Sequence, residues 1–251
     1  MWIKRDTLER KLADAMQYEY CELYDTARSA LHALGVSRPC IPSNVCSELR
    51  RVLPLAWVVP VSAQTGLAPI TNVHLYGYQS DTYDRYLSID PLMTGYLRPT
   101  GAHHTIISFG HKKMLDAGGG GALLCNYQSK RKSNFPEHLR GEIEYKLEML
   151  LSDIRYRRDS IDWWDCWLVD SCIRIPREQI MPWRVMRRVP EKRDAVVKAI
   201  RDAGYPVGTN YPPLPGVTDP GAIQWGREVI NFFPDSDAKA ISEIVKRTLA
   251  A

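Results

Sequence analysis

Apolar residues open the chain at helical spacing: Leu8, Leu12, Ala15, Met16 and Tyr20 recur with charges between them. The pattern predicts helix across Lys4 to about Leu34, broken by a turn. YDTARSALHALG reads as that turn opening a second helix, with Thr26 as its N-cap and Gly35 as its end. From Arg38 to Ile107 the texture changes to strand-length apolar runs: PCIPS, LAWVVPV, ITNVHLYG, YLSID and HHTIISFG. One helical stretch, SNVCSELRRVL, lies among them, and a further strand, ALLCNY, follows four glycines. GEIEYKLEMLLSDIRYRRDSIDWWDCW is one long amphipathic helix. Beyond it, short strands (IRI, WRVMRRV, EVINFF) precede two helices, PEKRDAVVKAIRDAG and DSDAKAISEIVKRTLA.

Strands alternating with helices or long crossovers imply an α/β architecture on a mainly parallel sheet. The change of texture near residues 130–160 suggests two units, drawn here as a large domain over 1–145 and a small α+β lobe over 146–251. A chain of 251 residues has room for both.

Composition narrows this picture only slightly. Charged residues make up 25% and the net charge is +4, which permits a polyanionic partner without demanding one. The six cysteines show no zinc spacing, so no metal site is expected, and reduced thiols in a cytoplasmic protein fit best. The charged opening Met1–Arg10 does not read as a secretory signal, and the longest apolar runs are strand-sized, so no membrane span is expected.

The segment carrying the most chemistry is SFGHKKMLDAGGGGALL, Ser108 to Leu124. Four consecutive glycines are costly to order and usually let a backbone pass close to something. The order of residues is not that of a GxxxxGK[ST] phosphate loop, and a GxGxxG dinucleotide fingerprint would need a helix after the glycines, where a strand is predicted. What remains is a lysine presented by a strand-end loop, a setting in which an amine can attack a carbonyl.

At this point the segment resembles the lysine motif of the sugar aminotransferase family: fold-type I enzymes dependent on pyridoxal 5'-phosphate (PLP). The family's pattern is Ser-Phe, three residues, Lys, then a Gly-x-Gly-Gly turn. Alignment on Ser108, Phe109, Gly118, Gly120 and Gly121 makes Lys113, rather than Lys112, the residue that binds the cofactor. YDTARSAL resembles the phosphate-cup turn, which implicates Arg28 and Ser29, with Ser108 as a further phosphate contact. ITNVHLYGYQSD is similar to the family's Val-His-Leu-Tyr-Gly strand, and YLSIDP to the strand whose aspartate bonds the pyridine nitrogen, here Asp90. PWRVMRRVPEKRDAVVKAIRDAG resembles the small-domain strand and helix.

The resemblance implies a fold-type I PLP-dependent transferase with a three-layer large domain, catalytic Lys113 and Asp90, and a homodimer. It implies an amine or amino-acid substrate, with aminotransferase-like chemistry at its amino group or α-carbon. Arg184 and His111 are the candidate substrate contacts, Arg184 for a carboxylate. The chain also departs from the family. The position of the cofactor-stacking aromatic falls near Val45 or Cys46, Gly119 stands where a glutamate is common, and Met93 where a glutamine is usual. These changes bear on a keto-sugar substrate more than on the cofactor. They leave two alternatives. One is a PLP-dependent decarboxylase of an amino-acid-modified thymine in viral DNA, working in the host cytoplasm and served by the basic KRKSNF loop. The other is a degenerate PLP-fold binding module.

Overall fold

The computed structural model describes residues 7–35, 40–53, 57–59, 71–73, 87–89, 102–111, 113–127, 134–168, 173–174, 184–209 and 211–251. Helix α1 (Leu8–Met16) is capped by the Thr7 side chain and ends in a left-handed residue at Gln17, whose N–H returns to the Ala13 and Asp14 carbonyls. Strand β1 (Tyr20–Tyr24) follows where the apolar spacing had predicted continuing helix. Helix α2 (Ala27–Leu34) starts at the predicted N-cap: Thr26 Oγ1 accepts from the Ser29 N–H, and Gly35 closes the helix at φ 68°.

The next elements are β2 (Cys40–Pro42), α3 (Ser47–Val52), β3 (Trp57–Val59), β4 (Thr71–Val73) and β5 (Leu87–Ile89). They are followed by β6 (His104–Ser108) and β7 (Gly121–Cys125). Five strands form one sheet in the order β1-β7-β6-β5-β4. β4, β5 and β6 pair in parallel, whereas β7 is antiparallel to both β6 and β1. Among the described strands of this sheet, β7 is therefore the one that runs against the rest. β2 and β3 pair in parallel beside it.

The alternation of side chains along β6 and β7 divides the core in two. Ile107, Ala122 and Leu124 meet Leu8, Leu12 and Met16 of α1 on one face, together with Ile143, Leu150 and Ile154 of helix α4 (Arg140–Leu168). Ile106 and Leu123 meet Ala30 and Leu31 of α2 and Leu49 of α3 on the other. The result is three layers, helix on sheet on helix. β7 is buried along its whole length, as its continuous apolar run requires when both faces are covered.

A second core gathers around a four-stranded antiparallel sheet of order β10-β11-β9-β8. Its strands are β8 (Ile173–Arg174), β9 (Val185–Arg188), β10 (Val207–Thr209) and β11 (Val229–Phe232). Helices α5 (Arg193–Asp202) and α7 (Ala238–Ala250) supply Val196, Ile200, Ile241 and Val245. Helix α6 (Pro220–Glu228), capped by Asp219, and strand β10 were not anticipated from the sequence. α4 serves both cores, since its C-terminal half delivers Ile161, Trp164 and Leu168 to this one. Trp164 stacks on Phe232 at 4.9 Å and donates its indole N–H to the Pro234 carbonyl, while its neighbour Trp163 is exposed.

Candidate functional site

Two connections meet at one edge of the five-stranded sheet. β1 delivers the chain to the start of α2, and β6 delivers it to the turn that carries Lys113. In open α/β sheets this carboxyl edge is where ligands bind.

The Lys113 turn is anchored on both sides. Phe109 is fully buried before it, and Met114 and Leu115 are buried immediately after it. The turn closes on itself: Phe109 donates its N–H to the Gly120 carbonyl (3.1 Å) and its carbonyl accepts from Ala117 (2.9 Å). The Lys113 N–H donates to the Gly110 carbonyl at 3.2 Å, and the residue is partly buried. Asp116 organises the far side, its carboxylate accepting from the Gly118 N–H at 2.9 Å.

The four glycines then answer what the backbone approaches. Gly118 and Gly120 take φ of 79° and 90°, a region other residues rarely adopt. Gly120 donates its N–H to the Asp25 carbonyl (2.9 Å) and bridges Thr26 in parallel. A Cβ on Gly121 would sit 2.4 Å from the Ala27 nitrogen and 2.8 Å from the Thr26 carbonyl carbon. The glycine run thus lies directly against the first turn of α2. Phe109, Phe135 and Leu139 pack over Gly120 from the other side.

That first turn is the N-terminal end of a capped helix. The Arg28 N–H has no partner within the helix by construction, and the helix dipole places partial positive charge there. The Thr26 and Ser29 hydroxyls lie 2.9 Å apart at the same end. Arg28 is turned away toward α3, where its guanidinium pairs with Glu48, which also pairs with Arg51. Ser108 Oγ accepts from the Gly110 N–H at 3.3 Å.

The remaining sequence candidates are placed as follows. Asp90 and Lys112 lie outside the described residues, and β5 ends at Ile89, just before Asp90. Most of the KRKSNF loop also lies outside them. His111 is exposed in the lysine turn, its Nδ1 3.6 Å from the Asp116 carboxylate. Arg184 is 4% exposed, its guanidinium 3.8 Å above the centre of the Phe233 ring. Of the two positions expected for the cofactor-stacking aromatic, Val45 is buried in the core of the sheet face that holds α2 and α3, and Cys46 is half-buried. Among the described residues no group of histidines, cysteines and carboxylates could hold a metal ion. No described helix is long and apolar enough to cross a membrane.

Sequence reasoning missed the contact between Gly121 and the Thr26–Ala27 backbone, whose only sequence trace is the glycine itself. It also missed Lys146 of α4, which donates to the Asp116 carbonyl and pairs with Glu142 at 3.0 Å. The i, i+4 pairing was visible in the sequence, but the carbonyl was not.

The three layers, with one reversed strand among the described strands of the sheet, are a fold shared with solved aminotransferase structures. Solved structures agree at the level of the fold. The aminotransferase TlmJ from Streptoalloteichus hindustanus superposes with a TM-score of 0.78 at 18% identity, covering 96% of this chain and 89% of that one. A DegT DnrJ EryC1 StrS aminotransferase from Brucella abortus gives 0.74 at 17%, over 95% and 88%. NtdA from Bacillus subtilis, solved with bound cofactor PMP, gives 0.76 at 15%, over 97% and 76%. No family model matches the sequence, and no curated protein matches it.

Proposed function

We propose that this chain is a PLP-dependent enzyme acting on the amino group or α-carbon of an amine or amino-acid substrate, with aminotransferase-like chemistry. The observation that carries the reading is the contact of Gly120 and Gly121 with Asp25, Thr26 and Ala27. It brings the turn that carries Lys113 against a helix N-terminus, which supports an amine contact and a phosphate contact at the carboxyl edge of the sheet.

The donor set suits PLP, which carries an aldehyde and a phosphate. In this reading Lys113 would hold the aldehyde end of PLP, and its amine, once free, would carry a proton at the substrate α-carbon. Arg28 and Ser29, in the first turn of α2, and Ser108 would hold the phosphate. Asp90 keeps the pyridine nitrogen protonated. When bound, PLP supplies the electron sink for breaking a bond at the substrate α-carbon. Arg184 and His111 are the proposed substrate contacts, with Arg184 needing release from its stack on Phe233 to reach a carboxylate.

The test begins with PLP and borohydride. Purified protein incubated with both is expected to retain the cofactor on a single peptide carrying Lys113. Cofactor found on Lys112 alone, or none retained, overturns the assignment. Product analysis with free amines, and with DNA carrying amino-acid-modified thymine, then separates amino transfer from loss of CO₂. Sedimentation of the loaded protein checks the proposed homodimer, which an active monomer would contradict.

A further inference from the structure

We propose that Lys146 is a positioning residue for the Lys113 turn, acting from the opposite side of the loop. The proposal rests on the reading of Lys113 given above, although the latch itself is a property of the chain alone. α4 packs along the sheet face that also holds α1, and Lys146 stands one turn beyond Glu142 on it. Its ammonium is shared between the Glu142 carboxylate (3.0 Å) and the main-chain carbonyl of Asp116. The side chain is 30% exposed, so the charge is partly withdrawn from water and spent on these two acceptors.

Asp116 is the hinge of the arrangement. Its carbonyl accepts from Lys146, while its carboxylate accepts from the Gly118 N–H and lies beside His111. The next residue, Ala117, closes the loop onto Phe109. Lys146 therefore fixes the point from which the glycine run departs toward α2, and Lys113 hangs from the same closed loop. Removing the ammonium takes this donor from the Asp116 carbonyl and lets the turn sample other orientations. The Lys113 amine is then presented less often in one place.

The test uses the full chain as wild type, Lys146→Met, Lys146→Arg and Glu142→Gln. Amide hydrogen exchange is read by NMR on cofactor-free protein. Lys146→Met is expected to speed exchange at Lys113, Ala117 and Gly118 by about tenfold or more. Ile106 and Leu123, inside β6 and β7, should stay as in wild type. Lys146→Arg should restore slow exchange, because it returns a donor to the Asp116 carbonyl. With PLP added, the pH at which the bound cofactor changes colour should shift in Lys146→Met and return in Lys146→Arg.

Unchanged exchange in the turn overturns the proposal, as does a rise spread evenly through β6 and β7. If Lys146→Met does not fold, Glu142→Gln decides: a smaller rise at the same three amides supports the latch, and no rise sinks it. Should wild type take up no PLP, the functional reading fails, while the exchange rates still decide the role of Lys146.

Discussion

A methyl group at Gly121 would meet the Ala27 nitrogen at 2.4 Å and its Cα at 2.6 Å, both rigid backbone atoms. Gly121→Ala must push α2 away from β7 and is expected to cost about 1–3 kcal/mol. It should also weaken PLP binding, since the lysine turn and the helix N-terminus part company. Gly119→Ala is the matched control. Its Cβ would touch only Leu139 Cδ1 at 3.7 Å, an ordinary contact, so the change should stay within about 0.5 kcal/mol. Urea midpoints and PLP titration of the two variants check the pair, and equal effects would refute it. The tetraglycine therefore announced a close approach in the sequence, and two of its members a special φ. What it approached lay far along the chain and was not legible.

At the scale of elements, α1 is tied to the start of α4 by a bidentate pair, Arg140 to Glu9 at 2.8 and 3.0 Å, with Glu137 as a second partner. Burial alone would push the Glu9 carboxyl up, but the hydrogen bonds and charge of Arg140 outweigh it and hold the group below its usual range. A carboxyl depressed in the folded state contributes stability above the ordinary carboxylate range and loses it as pH falls through the folded-state value. Glu9→Gln should thus cost up to about 1 kcal/mol at neutral pH and progressively less in acid. Chemical denaturation across that range checks this, and a gap independent of pH would count against it. The helices were largely legible because their periodicity is long. Strand β1 was not: Tyr20 continues the spacing of Leu8, Leu12 and Met16, and the helix ends on Gln17 with φ 58°, where no glycine marks the stop. β10 and α6 are short, and their boundaries are set by pairing with β11 and by the Asp219 cap.

At the scale of the molecule, the two cores are joined by α4 and by a strap from the second lobe. Asn44 is buried and donates to the Tyr211 carbonyl (3.1 Å) and the Ala222 carbonyl (3.0 Å), while the Leu214 N–H reaches the Ser43 carbonyl (2.9 Å). Leu214 itself is buried in the core of the first unit. Asn44→Ala leaves two carbonyls without their donor and should cost about 2–3 kcal/mol. Faster amide exchange at Leu214 and Val217 would show the strap loosening, and unchanged exchange there would contradict the role. The proposed division at residues 145 and 146 falls inside α4, whose two halves feed different cores. By itself the sequence determined the α/β class, the Thr26 cap, the long helix and the lysine–glycine segment, because periodicity, capping and glycine conformation are local properties. Only the tertiary structure decided that β7 runs against the other described strands of its sheet, that the glycines rest on α2, and that Lys146 and Asn44 hold distant carbonyls. Those contacts join residues far apart in the chain, and a main-chain carbonyl offers every sequence the same acceptor, so no pattern of side chains announces which one will be used.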